Sequence, residues 1–195
     1  LGMADILDMK RRLARLLVEK SYKEGQFTLT SGRRSDYYFD GKQTALHPEG
    51  GWLIGHLFND LLADVPGLVA VGGMTLGADP LVSATSVISY ELKRPLAAFI
   101  VRKTPKGHGT MQYLEGLANL TPGAPVAMLE DVVTTGGSLL TACERVREAG
   151  FSIAAVCTVL DREEGGREAV QAAGYTLRSL FRRAELLELA RSDRG

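Results

Sequence analysis

The sequence predicts an α/β protein, a mostly parallel sheet flanked by helices, with a small N-terminal hood. Three observations lead there. From about residue 48, short apolar runs alternate with segments of helical periodicity, the mark of right-handed strand–helix–strand crossovers. Residues 27–39 are aromatic, are punctuated by turn residues, and do not fit that repeat. The length, 195 residues, suits one compact domain.

Each element follows from local pattern. Ile6, Met9, Leu13, Leu16 and Leu17 recur at helical spacing, with Lys10, Arg11, Arg12 and Arg15 between them and Gly25 past the end. Phe27 and Leu29, then Tyr37, Tyr38 and Phe39, flank Ser31-Gly32 and read as short strands of a hairpin-like segment. These parts form the hood, mainly from residues 1–45, and leave a core of about 46–180. Helices are expected over 50–63, 79–91, 138–149, 163–173 and 184–190. Strands are expected over 68–71 (ending in Gly72-Gly73), 96–101, 125–129, 153–160 and 175–180.

Composition narrows the function classes. Hydrophobic residues at 45% and charged residues at 24% are ordinary for a globular chain, so a sizeable core is expected. Formal net charge is zero, which gives no bulk attraction to nucleic acid or a membrane surface. An anion site must then be built locally. Cys143 and Cys157 have neither metal nor redox spacing and read as buried thiols. No apolar run is long enough to span a membrane and no basic-then-apolar leader is seen, so the expected location is cytoplasmic.

The most informative run is Val126-Ala127-Met128-Leu129-Glu130-Asp131-Val132-Val133-Thr134-Thr135-Gly136-Gly137-Ser138. An apolar strand leads into two acids, then a hydroxyl- and glycine-rich loop, then a helix start. Ligands of open α/β sheets bind at the carboxyl ends of strands. Amides at a helix N-terminus favour an anion, and glycines admit it closely. Thr134, Thr135 and Ser138 add hydroxyl donors. Two carboxylates would repel a phosphate unless aimed elsewhere, and they suit the hydroxyls of a sugar. The chemistry reads as a ribose 5-phosphate. The plain alternative is a strand–loop–helix turn with Ser138 as the helix cap.

A second run, Arg102-Lys103-Thr104-Pro105-Lys106-Gly107-His108-Gly109-Thr110, gathers three fixed cations and a histidine. Most such runs are solvated loops. In a neutral protein a local cluster calls for an anionic counterpart, and a lid carrying it would neutralise a leaving group and exclude water.

Together these runs resemble known families. The thirteen-residue acidic run resembles the phosphoribosyl pyrophosphate (PRPP) motif of the type I phosphoribosyltransferases, and so implies that fold. The basic run, closed by Glu115-Gly116, resembles the catalytic loop of the orotate branch. The segment Thr28-Leu29-Thr30-Ser31-Gly32-Arg33-Arg34-Ser35-Asp36-Tyr37-Tyr38-Phe39 resembles that branch's hood over the pyrimidine. The resemblance covers nearly the whole chain, from Phe27 to about Arg162.

The resemblance implies an orotate phosphoribosyltransferase, a pentosyltransferase of pyrimidine (UMP) biosynthesis with no second catalytic domain. PRPP would lie on Glu130, Asp131, Val132, Val133, Thr134, Thr135, Gly136, Gly137 and Ser138. Its diphosphate would meet Arg102, Lys103, Lys106 and His108, with Lys103, Lys106, His108 and Asp131 serving catalysis. Orotate would meet Thr134, Arg162, Tyr38 and Phe39. A guanidinium fork suits orotate's carboxylate; the alternative makes Arg162 a surface residue pairing with Glu163 or Glu164. Tyr38 and Phe39 read equally well as hood core. Magnesium is implied as cofactor, with no firm protein ligand beyond Asp131 acting through water. A homodimer is implied, with the basic loop reaching the neighbouring subunit's site.

The chain also departs from the pattern. Some members carry lysine at the position of Thr30, and some have Tyr-Lys where Thr75-Leu76 stands, in the stretch from Gly72 to Pro80 that corresponds to the pyrophosphate loop. Backbone amides helped by Gly72, Gly73 and Gly77 are expected to serve there. Rival readings are a phosphoribosyltransferase for another base, a non-catalytic PRPP-sensing regulator, and an unrelated nucleotide-binding domain. The regulator usually needs a nucleic-acid-binding segment that this chain does not show. The last lacks both Gly-x-x-x-x-Gly-Lys-Ser/Thr and Gly-x-Gly-x-x-Gly.

Overall fold

The computed structural model describes residues 1–109 and 111–192. Its centre is a six-stranded sheet made of β3 (Ala70–Met74), β4 (Ala97–Val101), β5 (Leu114–Glu115), β6 (Pro125–Val133), β7 (Ser152–Asp161) and β8 (Leu177–Arg182). The strand order is β5-β4-β3-β6-β7-β8, parallel throughout except for β5, which runs antiparallel to β4. A separate two-stranded ribbon pairs β1 (Tyr22–Thr28) with β2 (Arg34–Phe39). The helices are α1 (Met3–Leu16), α2 (Lys42–Ala45), α3 (Pro48–Leu61), α4 (Asp79–Glu91), α5 (Gly137–Glu148), α6 (Gly166–Ala172) and α7 (Arg183–Ser192).

Alternation along the strands sorts the core into two layers. Val71, Ala127, Leu129, Ala155, Cys157 and Val159 face α1, α3, α4 and α7. Ala70, Val126, Met128 and Val156 face α5 and α6 through Leu139, Ala142, Cys143, Val146 and Val170. Both cysteines are buried and unpaired. Among the described residues no helix is long and apolar enough to cross a membrane.

The boundaries differ from the sequence reading where tertiary pairing overrides local composition. The strand expected to end at residue 129 runs to Val133, because β7 pairs with it through Val132↔Leu160 and Val133↔Asp161. Gly72 and Gly73 lie inside β3, not beyond it. A Cβ on Gly72 would run into the Phe99 ring, and one on Gly73 into the Leu129 carbonyl and Ala78. These glycines therefore serve close packing, and their expected place in an anion loop is corrected. Gly25 sits within β1, since the chain turns through Leu17–Ser21 before the ribbon starts. The helix expected from 163 begins at Gly166. Glu163 takes φ of 61° and its amide donates to Asp161 Oδ1 at 2.8 Å, a turn that delays the helix.

Candidate active site

A cavity of about 490 Å³ opens over the carboxyl end of β6. The hood turn lines it with Thr28, Leu29, Thr30 and Ser31, and β2 adds Tyr38 and Phe39. The floor is Glu130 and residues 132–139, and Arg162 closes one side. A similar hollow of about 550 Å³ lies around Cys143 and Tyr175. It has no strand carboxyl ends around it, so position and chemistry favour the β6 cavity.

The two acids differ in setting, although their carboxyls remain close enough to interact. Glu130 faces the cavity and is buried. Burial, and then the neighbouring Asp131, push its carboxyl well above the usual range. Asp131 does not line the cavity. It is packed between two backbone segments: a Cβ on Gly41 would lie 2.8 Å from its Cβ, and one on Gly77 would lie 2.8 Å from its Oδ1. The Val132 amide donates to Asp131 Oδ1 at 2.9 Å.

Beyond β6, Thr134 to Gly136 form the turn into α5. Gly136 is the residue before the helix, with φ of 89°, a conformation glycine adopts without strain. The alternative that made Ser138 the cap is thereby corrected: Ser138 lies within the first turn, exposed toward the cavity. Thr134, Thr135, Gly136, Gly137 and Ser138 thus present hydroxyls and a helix N-terminus to one space.

Arg162 is only 4% exposed, so it is not the surface residue of the alternative reading, although it does pair with Glu164. Its amide donates to the Val133 carbonyl at 3.0 Å, extending the β6–β7 ladder and placing it beside Thr134. Its Nε donates to Glu164 Oε2 at 2.7 Å and its Nη2 to Ser35 Oγ at 2.8 Å. Tyr38 and Phe39 separate the two readings they shared. Tyr38 is 45% exposed and touches Phe27, while Phe39 is 6% exposed and belongs to the core as well as to the cavity wall.

The basic run lies elsewhere. None of Arg102, Lys103, Lys106 and His108 lines the cavity. Arg102 Nη1 pairs with Glu115 Oε1 at 3.2 Å, and Lys106 Nζ with Glu115 Oε2 at 3.3 Å. Lys106 chiefly, with Arg102 adding, holds the Glu115 carboxyl below its ordinary range. Arg145, stacked on Tyr113 at 3.9 Å, donates to the Arg102 and Lys103 carbonyls at 2.6 and 3.3 Å. Lys103 and His108 are exposed. Thr110 lies outside the described residues. At the other departures, Thr30 lines the cavity, Thr75 Oγ1 donates to Asp79 Oδ2 at 2.7 Å, and Leu76 is exposed.

Curated relatives decide the family. An orotate phosphoribosyltransferase of Nostoc sp. is 47% identical over 178 residues, covering 91% of this chain and 85% of that one. Another, from Aquifex aeolicus, is 47% identical over 181 residues, covering 91% and 97%. The chain belongs to the orotate phosphoribosyltransferase family.

Solved structures agree. The orotate phosphoribosyltransferase of Mycobacterium tuberculosis, in complex with PRPP, matches with a TM-score of 0.75 at 38% identity, covering 91% of this chain and 98% of that one. An adenine phosphoribosyltransferase of Trypanosoma brucei matches with a TM-score of 0.66 at 16% identity, covering 90% and 80%, and so shows the fold alone. The search against family models found no match. Within the orotate phosphoribosyltransferase frame, the sequence reading missed Gly166. A Cβ there would run into Val133 Cγ1 and lie 2.8 Å from the Thr134 carbonyl, so the glycine lets the turn after β7 press against the phosphate-type loop. The Gly165-Gly166 pair was a visible signal, masked by the helix expected over it.

Proposed function

We propose that this chain transfers the ribose 5-phosphate of PRPP to orotate, giving orotidine 5′-monophosphate and pyrophosphate in pyrimidine (UMP) biosynthesis. One observation carries the reading: a carboxylate-type recogniser, Arg162, and a phosphate-type loop line the same cavity. The 5-phosphate takes the amides and hydroxyls from Thr134 to Ser138. A ribose hydroxyl donates to Glu130, which favours the charged form that burial alone opposes. Thr134, Arg162, Tyr38 and Phe39 enclose the pyrimidine.

A ring nitrogen of orotate, its N–H proton given up to solvent or to the departing diphosphate, forms the bond to the anomeric carbon as the carbon–oxygen bond to pyrophosphate breaks. The sugar then carries oxocarbenium-like positive charge and the leaving group gains negative charge. Catalysis is positioning plus charge stabilisation. Arg102, Lys103, Lys106 and His108 meet the diphosphate when their loop leaves Glu115 and closes. Magnesium, when bound, offsets the charge of the diphosphate. Among the described residues no group of three or more His, Cys, Asp and Glu is assembled. Such an ion would be held mainly by substrate oxygens and water, and Asp131, packed between Gly41 and Gly77 outside the cavity lining, would contribute only through water.

We place the enzyme in the cytoplasm as a homodimer whose basic loops reach the partner's cavity. Exposed Leu76, Val87 and Tyr90, the last 78% exposed, support a covered face around α4. The test mixes protein, PRPP, magnesium and orotate and follows orotate's ultraviolet absorbance. The absorbance is expected to fall, and to hold when magnesium is omitted or uracil is substituted. Consumption of another base in place of orotate overturns the assignment. PRPP binding with no turnover of any base turns it to a regulator.

A further inference from the structure

We propose that Tyr37 is a positioning residue whose ring fixes the Arg162 guanidinium, so that its free edge faces the cavity and takes the carboxylate of the pyrimidine substrate. The inference rests on the functional reading above and adds the residues that make the recogniser rigid. A free arginine side chain has many rotamers, and ordering it on binding costs affinity. Here the ordering is already done. Besides the bonds to Glu164 and Ser35, the Arg162 Cζ lies 3.8 Å from the centroid of the Tyr37 ring. Among the described residues Nη1 donates to no group, which leaves N–H groups for a carboxylate.

The ring is itself immobilised. Tyr37 is 1% exposed, stacks on Tyr22 at 5.1 Å between centroids, and meets a second guanidinium, that of Arg183, at 4.0 Å. Two cations at one ring would repel each other without counter-charges. Glu164 supplies one for Arg162, and Asp36 supplies the other, accepting from Arg183 Nη2 at 3.0 and 3.1 Å. Among the described residues the buried Tyr37 hydroxyl has no hydrogen-bond partner. The working part is therefore the aromatic face, whose attraction for a desolvated guanidinium is substantial.

Steady-state kinetics of Tyr37→Leu, Tyr37→Phe and Ser35→Ala test this, with orotate and PRPP varied in turn and melting temperatures recorded. Tyr37→Leu is expected to raise KM for orotate about tenfold, in keeping with loss of a buried cation–π contact. Its KM for PRPP and its kcat stay near wild type, and Tyr37→Phe restores the orotate KM. Ser35→Ala, outside the apolar core, moves the orotate KM in the same direction and keeps the test standing where Tyr37→Leu does not fold. Equal rises in both KM values, or Tyr37→Phe as defective as Tyr37→Leu, overturn the proposal. So does an orotate KM unmoved in Ser35→Ala and in whichever Tyr37 variants fold. A wild-type protein that leaves orotate unconsumed overturns the functional reading itself, a result distinct from all of these.

Discussion

The two loops that follow strands β6 and β4 are built on opposite plans. The loop after β6 is short, turns at Gly136 and is wedged against Gly166, with an acid buried at its root. The loop after β4 is long and exposed, and two of its four basic side chains are held by one carboxylate, Glu115. The difference teaches a division of labour. On the proposed function, the part that recognises a ribose phosphate is pre-formed in the packed part of the molecule, where geometry costs least to keep. On the same proposal, the part that neutralises a departing diphosphate is stored outside the cavity and has to travel.

The contrast can be broken at four points. The largest effect is expected at Lys103, which is exposed. Lys103→Ala should lower kcat on the order of a hundredfold while PRPP affinity changes far less, as for loss of one electrostatic contact made in the transition state. An unchanged kcat removes Lys103 from the chemistry. Next is Arg162→Ala, expected to raise KM for orotate about tenfold or more, with PRPP binding measured by calorimetry left intact. Equal losses for both substrates would place Arg162 in the scaffold instead.

A third test concerns the rigidity of the scaffold under the β6 loop. Burial pushes the thiols of Cys143, on α5, and Cys157, on β7, up to about 12 from an ordinary 9.0. The folded protein therefore holds these protons more tightly than the unfolded chain does. That stabilisation is complete below pH 9 and is lost as pH rises from about 9 toward 12. Urea unfolding should show stability falling across that window, and a thiol reagent at pH 8 should label the cysteines only in urea. Native-state labelling at the unfolded rate would mean that the cradle opens readily. The smallest effect is at Glu115→Gln. Its pairs are exposed, so the melting temperature should not move, while trypsin should cut at Lys103 and Lys106 faster. An unchanged cleavage rate would show that Glu115 does not retain the loop.

The sequence was most legible where local pattern and tertiary role coincide. Alternating periodicity gave the doubly covered sheet, and the run from Val126 to Ser138 gave a strand, an acidic end and an anion-type turn, of which the structure brings Glu130 and residues 132–138 to one cavity and leaves Asp131 outside its lining. It was least legible where contacts come from far along the chain. Gly72 and Gly73 look like loop residues by composition, yet Phe99 and Leu129 fix them as strand residues. Ser35 and Tyr37 gave no local hint of contact with Arg162, 127 residues away from Ser35. Pairing of Arg102 and Lys106 with Glu115 was equally hidden, because resemblance marked all three as one motif without saying that they bind each other.

The clasp between Val101 and Leu114 makes the basic segment an arm with a fixed shoulder. Twelve residues of sequence, 102–113, separate the two sides of that shoulder. At about 3.4 Å per extended residue such a doubled-back tether reaches roughly 20 Å. Its span is set by length alone, and neither end needs to leave the sheet for the tip to sweep that distance. Insertions or deletions at the tip would lengthen or shorten the stroke without disturbing a single rung of the ladder, so reach and cradle can vary independently of each other.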